Sequence, residues 1–272
     1  TISDVGGNRL LFSSRQGYST GGRFPGMDID KAGSYLYVTD RTNLYNLTRD
    51  TTSSSISAYV REEYVALTQF KAANSWPENV YIFGVASVES HGMVYVTVSL
   101  GLNLLLKIPM RVAHYSEISV LAGNPSEVYG GISDDTHTPY LQDGFGTDAL
   151  LAFPSSIAYD PVEDALYFTE SFTEFSDIID DLYVGSMTVR KYSVYSGYVS
   201  TYAGYDFSQN RDEQGSYFTA GGYQDGWAGV AQFSYPLTIC YAFSHLNRPV
   251  LFLTDFFNDA IRVVYTGIGA VP

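Results

Sequence analysis

The chain has 272 residues, 45% of them hydrophobic and 16% charged, enough apolar material for one large β-rich domain. Its 29 acidic residues outnumber 15 basic ones, giving a formal net charge of −14; that field repels phosphate backbones and sets nucleic acid aside as a partner. Aromatics reach 15%, with 24 Tyr, a residue that suits half-buried pleated surfaces and contact surfaces.

One sheet-forming pattern recurs along the chain. The first copy opens with Phe24-Pro25-Gly26-Met27-Asp28-Ile29-Asp30, continues in Tyr35-Leu36-Tyr37-Val38-Thr39-Asp40, and adds strands at 43–48 and 56–60. The second runs through Phe83-Gly84-Val85-Ala86-Ser87-Val88, Val94-Tyr95-Val96-Thr97-Val98, 104–110 and 118–122. The third has Phe153-Pro154-Ser155-Ser156-Ile157-Ala158-Tyr159-Asp160, Leu166-Tyr167-Phe168-Thr169-Glu170, 188–194 and 199–203. The fourth has Tyr235-Pro236-Leu237-Thr238-Ile239-Cys240-Tyr241, Leu251-Phe252-Leu253-Thr254-Asp255 and 260–265. β-Branched and aromatic residues dominate every second strand, and Pro suits a strand entrance because it lacks the ladder donor.

The fourth copy lacks a fourth strand of its own. Ile2-Ser3-Asp4-Val5-Gly6-Gly7 carries the signature of the other fourth strands, so the N-terminus is expected to complete the last sheet and close a ring. The predicted fold is an all-β, four-bladed antiparallel propeller in a single domain over 1–272. Its blades lie at about 20–60, 80–123, 150–204 and 232–265, the last with 1–7.

The repeat resembles the NHL family. The segment Gln142-Asp143-Gly144-Phe145 to Phe153-Pro154 and the strand ending at Asp160 look like the opening of an NHL repeat. Val189-Arg190-Lys191-Tyr192 continues it. Gln224-Asp225-Gly226, Phe233, Pro236, Thr254-Asp255, Asn258 and Ile261-Arg262 make a second match. Propellers run from about four to eight blades, and members of this family commonly have more than the four counted here. The resemblance implies a propeller, and relatives of that fold include lactonases and a peptide-amidating lyase that hold calcium or zinc on the axis.

The chemistry-bearing residues are sparse. His91, His114, His137 and His245 fall in non-equivalent loops and read as scattered surface histidines. The single Cys240 rules out an intrachain disulfide, and its apolar surroundings at 237–243 predict a buried, inert thiol. Asp206, Ser208, Asn210 and Asp212 alternate oxygen-bearing side chains, a weak calcium candidate that lacks the Gly and terminal Glu of the helix-loop-helix motif; no other cofactor is expected. Asp143-Gly144 and Asp225-Gly226 read as turns. Asn46-Leu47-Thr48 is a glycosylation sequon, which makes Asn46 a candidate if the chain is secreted.

Two long loops lead into the third and fourth copies. They carry Tyr129, Tyr140, Phe145, Tyr205, Phe207, Tyr217, Phe218, Tyr223 and Trp227, residue types that anchor protein interfaces. The expected function is a non-catalytic, extracellular interaction or structural module with protein partners, copies of itself foremost. The alternative is a metal-dependent, lactonase-like hydrolase or lyase with calcium or zinc on the axis. No segment reaches the roughly 18 apolar residues of a membrane span, so no membrane insertion is expected. The chain begins at Thr1 with no secretory signal and reads as a processed chain or a domain cut from a longer one.

Overall fold

A computed structural model describes residues 26–30, 35–39, 43–49, 59–63, 66–77, 80–99, 102–111, 114–126, 141–175, 182–206, 221–227 and 229–267. The described chain is mostly β and forms four antiparallel sheets in chain order. Sheet 1 holds β1 (Met27–Ile29), β2 (Tyr35–Thr39), β3 (Leu44–Arg49) and β4 (Tyr59–Glu63). A helix, α1 (Ala66–Ala73), follows it. Sheet 2 holds β5 (Tyr81–Val88), β6 (Met93–Ser99), β7 (Leu104–Pro109) and β8 (Ser119–Ala122). Sheet 3 holds β10 (Pro154–Asp160), β11 (Ala165–Phe175), β12 (Leu182–Ser193) and β13 (Tyr198–Asp206), with the short β9 (Gly144–Phe145) added outside β13. Sheet 4 holds β14 (Pro236–Phe243), β15 (Pro249–Asp255) and β16 (Ala260–Tyr265).

The first three strands of each sheet fall where the sequence pattern puts them. β4 lies a few residues later than the Ile56 signature suggests, and neither α1 nor the edge strand β9 is visible in the repeat pattern. Among the described residues sheet 4 has three strands. The proposed closing strand at 2–7 lies outside the described residues.

The sheets stack face to face. Each has an incoming face toward the preceding sheet and an outgoing face toward the next. Between sheets 1 and 2, Tyr37 and Leu44 pack with Ile82, Val85, Val96 and Leu106. Between sheets 2 and 3, Tyr95 and Leu105 pack with Ile157, Leu166 and Phe168. Between sheets 3 and 4, Tyr167 and Val189 pack with Ile239, Leu251 and Leu253. The middle strands are therefore buried on both faces, which is why β6 is buried from Val94 to Ser99 without a break rather than at every second residue. The outlying β16 alternates in burial, because only one of its faces is covered.

A single device joins successive sheets, and it explains the recurring Thr. The first strands of sheets 2, 3 and 4 are bulged between Ile82 and Val85, Pro154 and Ile157, and Pro236 and Ile239. Each bulge turns a backbone carbonyl toward the preceding sheet. Thr39 donates its hydroxyl to the Phe83 carbonyl (2.9 Å), Thr97 to that of Ser155 (2.6 Å) and Thr169 to that of Leu237 (3.2 Å). The same hydroxyls accept the N–H of Gly26, Gly84 and Ser156 in their own sheets. Gly84 lies so close to the next sheet that a Cβ there would sit 2.5 Å from the Ser155 carbonyl oxygen.

Cys240 corrects the sequence expectation: it is exposed. It holds the register position of Ala86 and Ala158, which are buried on outgoing faces. Its neighbours in sequence are as apolar as theirs. The difference is that no described sheet covers the outgoing face of sheet 4.

Candidate functional site

Two buried arginines organise the loops that lead into sheets 3 and 4. Arg190 on β12 is fully buried and reaches Glu170, also fully buried, through Nη1 at 2.9 Å. Its Nη2 donates to Asp143 Oδ1 (3.0 Å) and the Gln142 carbonyl (3.1 Å). Asp143 Oδ1 also accepts the backbone N–H and the hydroxyl of Thr201. Glu170 in turn accepts the N–H of Ala152. Arg262 on β16 repeats the arrangement. It meets Asp255 at 2.8 Å and Asp225 at 2.5 Å, and donates to the carbonyls of Gln232 and Gln224. Its guanidinium lies between the rings of Tyr223 and Phe233.

The Asp-Gly pairs are thus more than turns. Asp143 and Asp225 are the far ends of two arginine clamps, and their charges are offset by guanidinium rather than left free for a cation. The clamps deliver an aromatic residue to equivalent points. Gly144-Phe145 is pinned beside Tyr198-Val199 as β9, and the exposed Phe145 ring meets Tyr198 edge to face at 4.7 Å. Trp227, the counterpart of Phe145, is also exposed. Tyr223 is exposed above Arg262. The clamp partners Arg190 and Arg262 were visible in the sequence as part of the repeat. Their role was missed because each pairs with an Asp more than thirty residues upstream (a distance that no local pattern links).

The other aromatic candidates are less informative. Tyr205 pairs through its backbone with Met187 on β12. Tyr129, Tyr140, Phe207, Tyr217 and Phe218 lie outside the described residues. So do Ser208, Asn210 and Asp212 of the calcium candidate, whose first member, Asp206, ends β13. Among the described residues no group of three or more His, Cys, Asp or Glu is placed to hold a metal ion. Asn46 is 8% exposed in the middle of sheet 1, paired on both sides with Tyr37 and Glu62. That burial leaves its amide no room for a glycan in the folded chain.

His91 has a structural engagement that the sequence did not show. It sits in the turn between β5 and β6 and crosses to sheet 3, with Nε2 2.9 Å from Asp164 Oδ1 and Nδ1 3.0 Å from the Tyr95 hydroxyl. Tyr159 donates to the same Asp164 oxygen. Burial and the neighbouring Asp164 push the Tyr159 phenol up to about 12, and burial does the same to Tyr95. Both remain neutral hydrogen-bonding groups at ordinary pH. His114 caps the short turn before β8, His245 lies in the turn after β14, and His137 is outside the described residues.

A second polar cluster lies on the outgoing side of sheet 3. Glu163 accepts from Lys191 and Tyr167, and Lys191 lies over the Tyr167 and Tyr202 rings. Burial by itself would raise the Glu163 pKa, but hydrogen bonds from Lys191 and Tyr167 and the Lys191 charge hold it below its usual value. A depressed folded-state pKa contributes stability above the unfolded value of 4.5 and loses it as pH falls through the folded value. Urea unfolding of the chain and of Glu163→Gln should therefore differ most above pH 4.5 and converge in more acidic buffer. A constant difference across that range would refute the assignment.

The fold and its loops define a protein of stacked antiparallel β-sheets. No protein-family model and no curated protein matches the chain. Among solved structures, a protein of unknown function from Bacteroides thetaiotaomicron VPI-5482 is similar, with a TM-score of 0.53 and 18% identity over 88% of this chain and 46% of its own. Auxiliary nutrient binding proteins from Bacteroides thetaiotaomicron VPI-5482 and Bacteroides ovatus ATCC 8483 also match. Their TM-scores are 0.48 and 0.49, at 18% and 17% identity, over 88% of this chain and 46% and 47% of theirs. The chain spans less than half the length of these solved chains. The likeness is one of β-rich fold. Among the described residues no helix is long and apolar enough to cross a membrane.

Proposed function

We propose that this chain is a non-catalytic interaction and structural module. In this reading its four sheets are the blades of a propeller of the kind the NHL repeat builds, and its partners are proteins, copies of itself foremost. The observation that carries the reading is the seam: three successive sheet pairs use one Thr-to-carbonyl link at one register. A unit joined to its neighbour by the same contact each time generates rotational repetition, which is the principle of a propeller. The most strongly built polar groups, Arg190 with Glu170 and Arg262 with Asp255, hold the architecture and present Phe145 and Trp227 outward. Exposed rings on a rigid frame suit binding by area.

Sedimentation velocity of the purified chain over a wide concentration range tests the function. Reversible, concentration-dependent association is the expected result. A chain that stays monomeric throughout and carries a stoichiometric calcium or zinc ion with lactone-cleaving activity would overturn the reading in favour of the metal-dependent enzyme.

A further inference from the structure

In sheet 3 the fourth strand is held on both sides. β13 lies between β12 and the short β9. On one side Thr201 pairs with Arg190 and Val199 with Tyr192; on the other Tyr198 and Val199 pair with Phe145 and Gly144. The arginine clamp fastens it, since the Asp143 carboxylate that Arg190 holds accepts both the N–H and the hydroxyl of Thr201. Val199 is fully buried there.

Sheet 4 has the same two walls. Ladder register equates Ile261, Arg262, Val263 and Val264 with Val189, Arg190, Lys191 and Tyr192. Arg262 holds Asp225 and the Gln224 carbonyl as Arg190 holds Asp143 and the Gln142 carbonyl. Gln224 bridges to Gln232 as Gln142 does to Leu150. Gly226-Trp227 therefore stands where Gly144-Phe145 stands. Among the described residues β16 pairs with β15 alone, and no strand lies between it and the Asp225 segment. Asp225 is 86% exposed, whereas Asp143, shielded by β13, is 39% exposed.

We infer that the outer edge of β16 is a docking slot for an extended segment of another protein, added as a fourth strand with Thr or Ser opposite Arg262. The inference rests on the proposed reading as a protein-interaction module, and names one surface and the chemistry that fills it. The edge supplies backbone N–H and C=O groups, the basis of strand addition. Asp225 supplies selectivity: its ionised carboxylate accepts but cannot donate, so it takes an N–H and a hydroxyl, as Asp143 does. The segment that fills the slot in sheet 3 reads Tyr198-Val199-Ser200-Thr201, so the pattern is a branched aliphatic residue two places before the Thr. The chain's own fourth strands are taken, because β4, β8 and β13 are paired in sheets 1, 2 and 3. Matching Ile2-Ser3 to Val199-Ser200 would put Asp4 at the Thr201 position, a carboxylate set against that of Asp225. A partner strand with Thr or Ser there meets no such repulsion.

A synthetic peptide of residues 197–205 is the probe, because sheet 3 shows how it fits. The chain has two tryptophans, Trp76 and Trp227, and Trp76 packs against the core between sheets 1 and 2. Dye-labelled peptide should bind the full chain at one site by fluorescence anisotropy. Unlabelled peptide should shift the Trp emission to the blue, a change lost in Trp227→Phe. Thr201→Val in the peptide and Asp225→Ala in the chain should each weaken binding about tenfold, the worth of a hydrogen bond to a charged group. Combining them should weaken it little more than Asp225→Ala alone, since that change already removes the acceptor.

No binding up to about 1 mM peptide, or binding indifferent to both substitutions, would overturn the slot; self-association in sedimentation velocity would then still leave the proposed module standing. Binding that appears only after residues 1–7 are removed would overturn the partner strand and assign the edge to the chain's own N-terminus. Peptide binding by a chain that stays monomeric would uphold the slot while removing self-association.

Discussion

Arg190→Ala is expected to remove about 3–5 kcal/mol of folding stability, read as a lower urea midpoint at unchanged slope. Arg190 and Glu170 are both fully buried, at 2.9 Å from each other. Deleting the guanidinium leaves an uncompensated carboxylate in a low-dielectric seam and frees the Asp143 loop that it clamps. The chain itself supplies the control. In sheet 2 the positions of Glu170 and Arg190 hold Val98 and Leu106, both fully buried. The paired change Glu170→Val with Arg190→Leu should therefore recover at least half of the loss, because it removes both charges at once. It should not recover all of it, since the Ala152 N–H and the Asp143 carboxylate lose a partner. A double variant less stable than Arg190→Ala would show that the clamp, not the buried charge, dominates.

Thr97→Val should cost about 1–3 kcal/mol, whereas Thr254→Val should change stability by less than about 0.5 kcal/mol. Valine matches the shape of threonine but neither donates nor accepts. At position 97 the loss strands the Gly84 N–H and the Ser155 carbonyl inside a closed seam. At position 254 the hydroxyl is partly exposed, and water takes over its bonds to Thr238. The same substitution at the same register position thus measures what a covered seam contributes. Equal effects at the two sites in urea unfolding would mean that sheet 4 is already covered in solution.

How far the sequence could be read follows from which contacts are local. The first three strands of all four sheets were legible, because the second strand of each is a short run rich in β-branched and aromatic residues and the first and third flank it at a regular spacing. The alignment of the copies was less so. Matching aromatic-Pro to aromatic-Gly sets Phe83-Gly84 beside Phe153-Pro154. The strand register instead places Gly84 with Ser156 and Thr238. The bulge fixes that register, and a bulge is set by hydrogen bonding across strands rather than by residue type. Phe153 and Tyr235 do align, and both take positive φ, at 53° and 65°, immediately before the Pro that opens each strand.

Of the candidate site, the exposed aromatic residues Phe145, Tyr223 and Trp227 were anticipated by composition and loop length. The arginine clamps that place them were not, nor was the His91–Asp164 bridge between sheets 2 and 3.

The sequence by itself determined the four sheets seen among the described residues and the order of their strands, since periodicity and turn chemistry act over a few residues. Tertiary structure alone decided which faces are covered. Cys240 shows the reason: its neighbours in sequence are as apolar as those of Ala86 and Ala158, yet it is exposed while they are buried. Burial depends on whether another sheet lies above, and that is a contact between residues far apart in the chain.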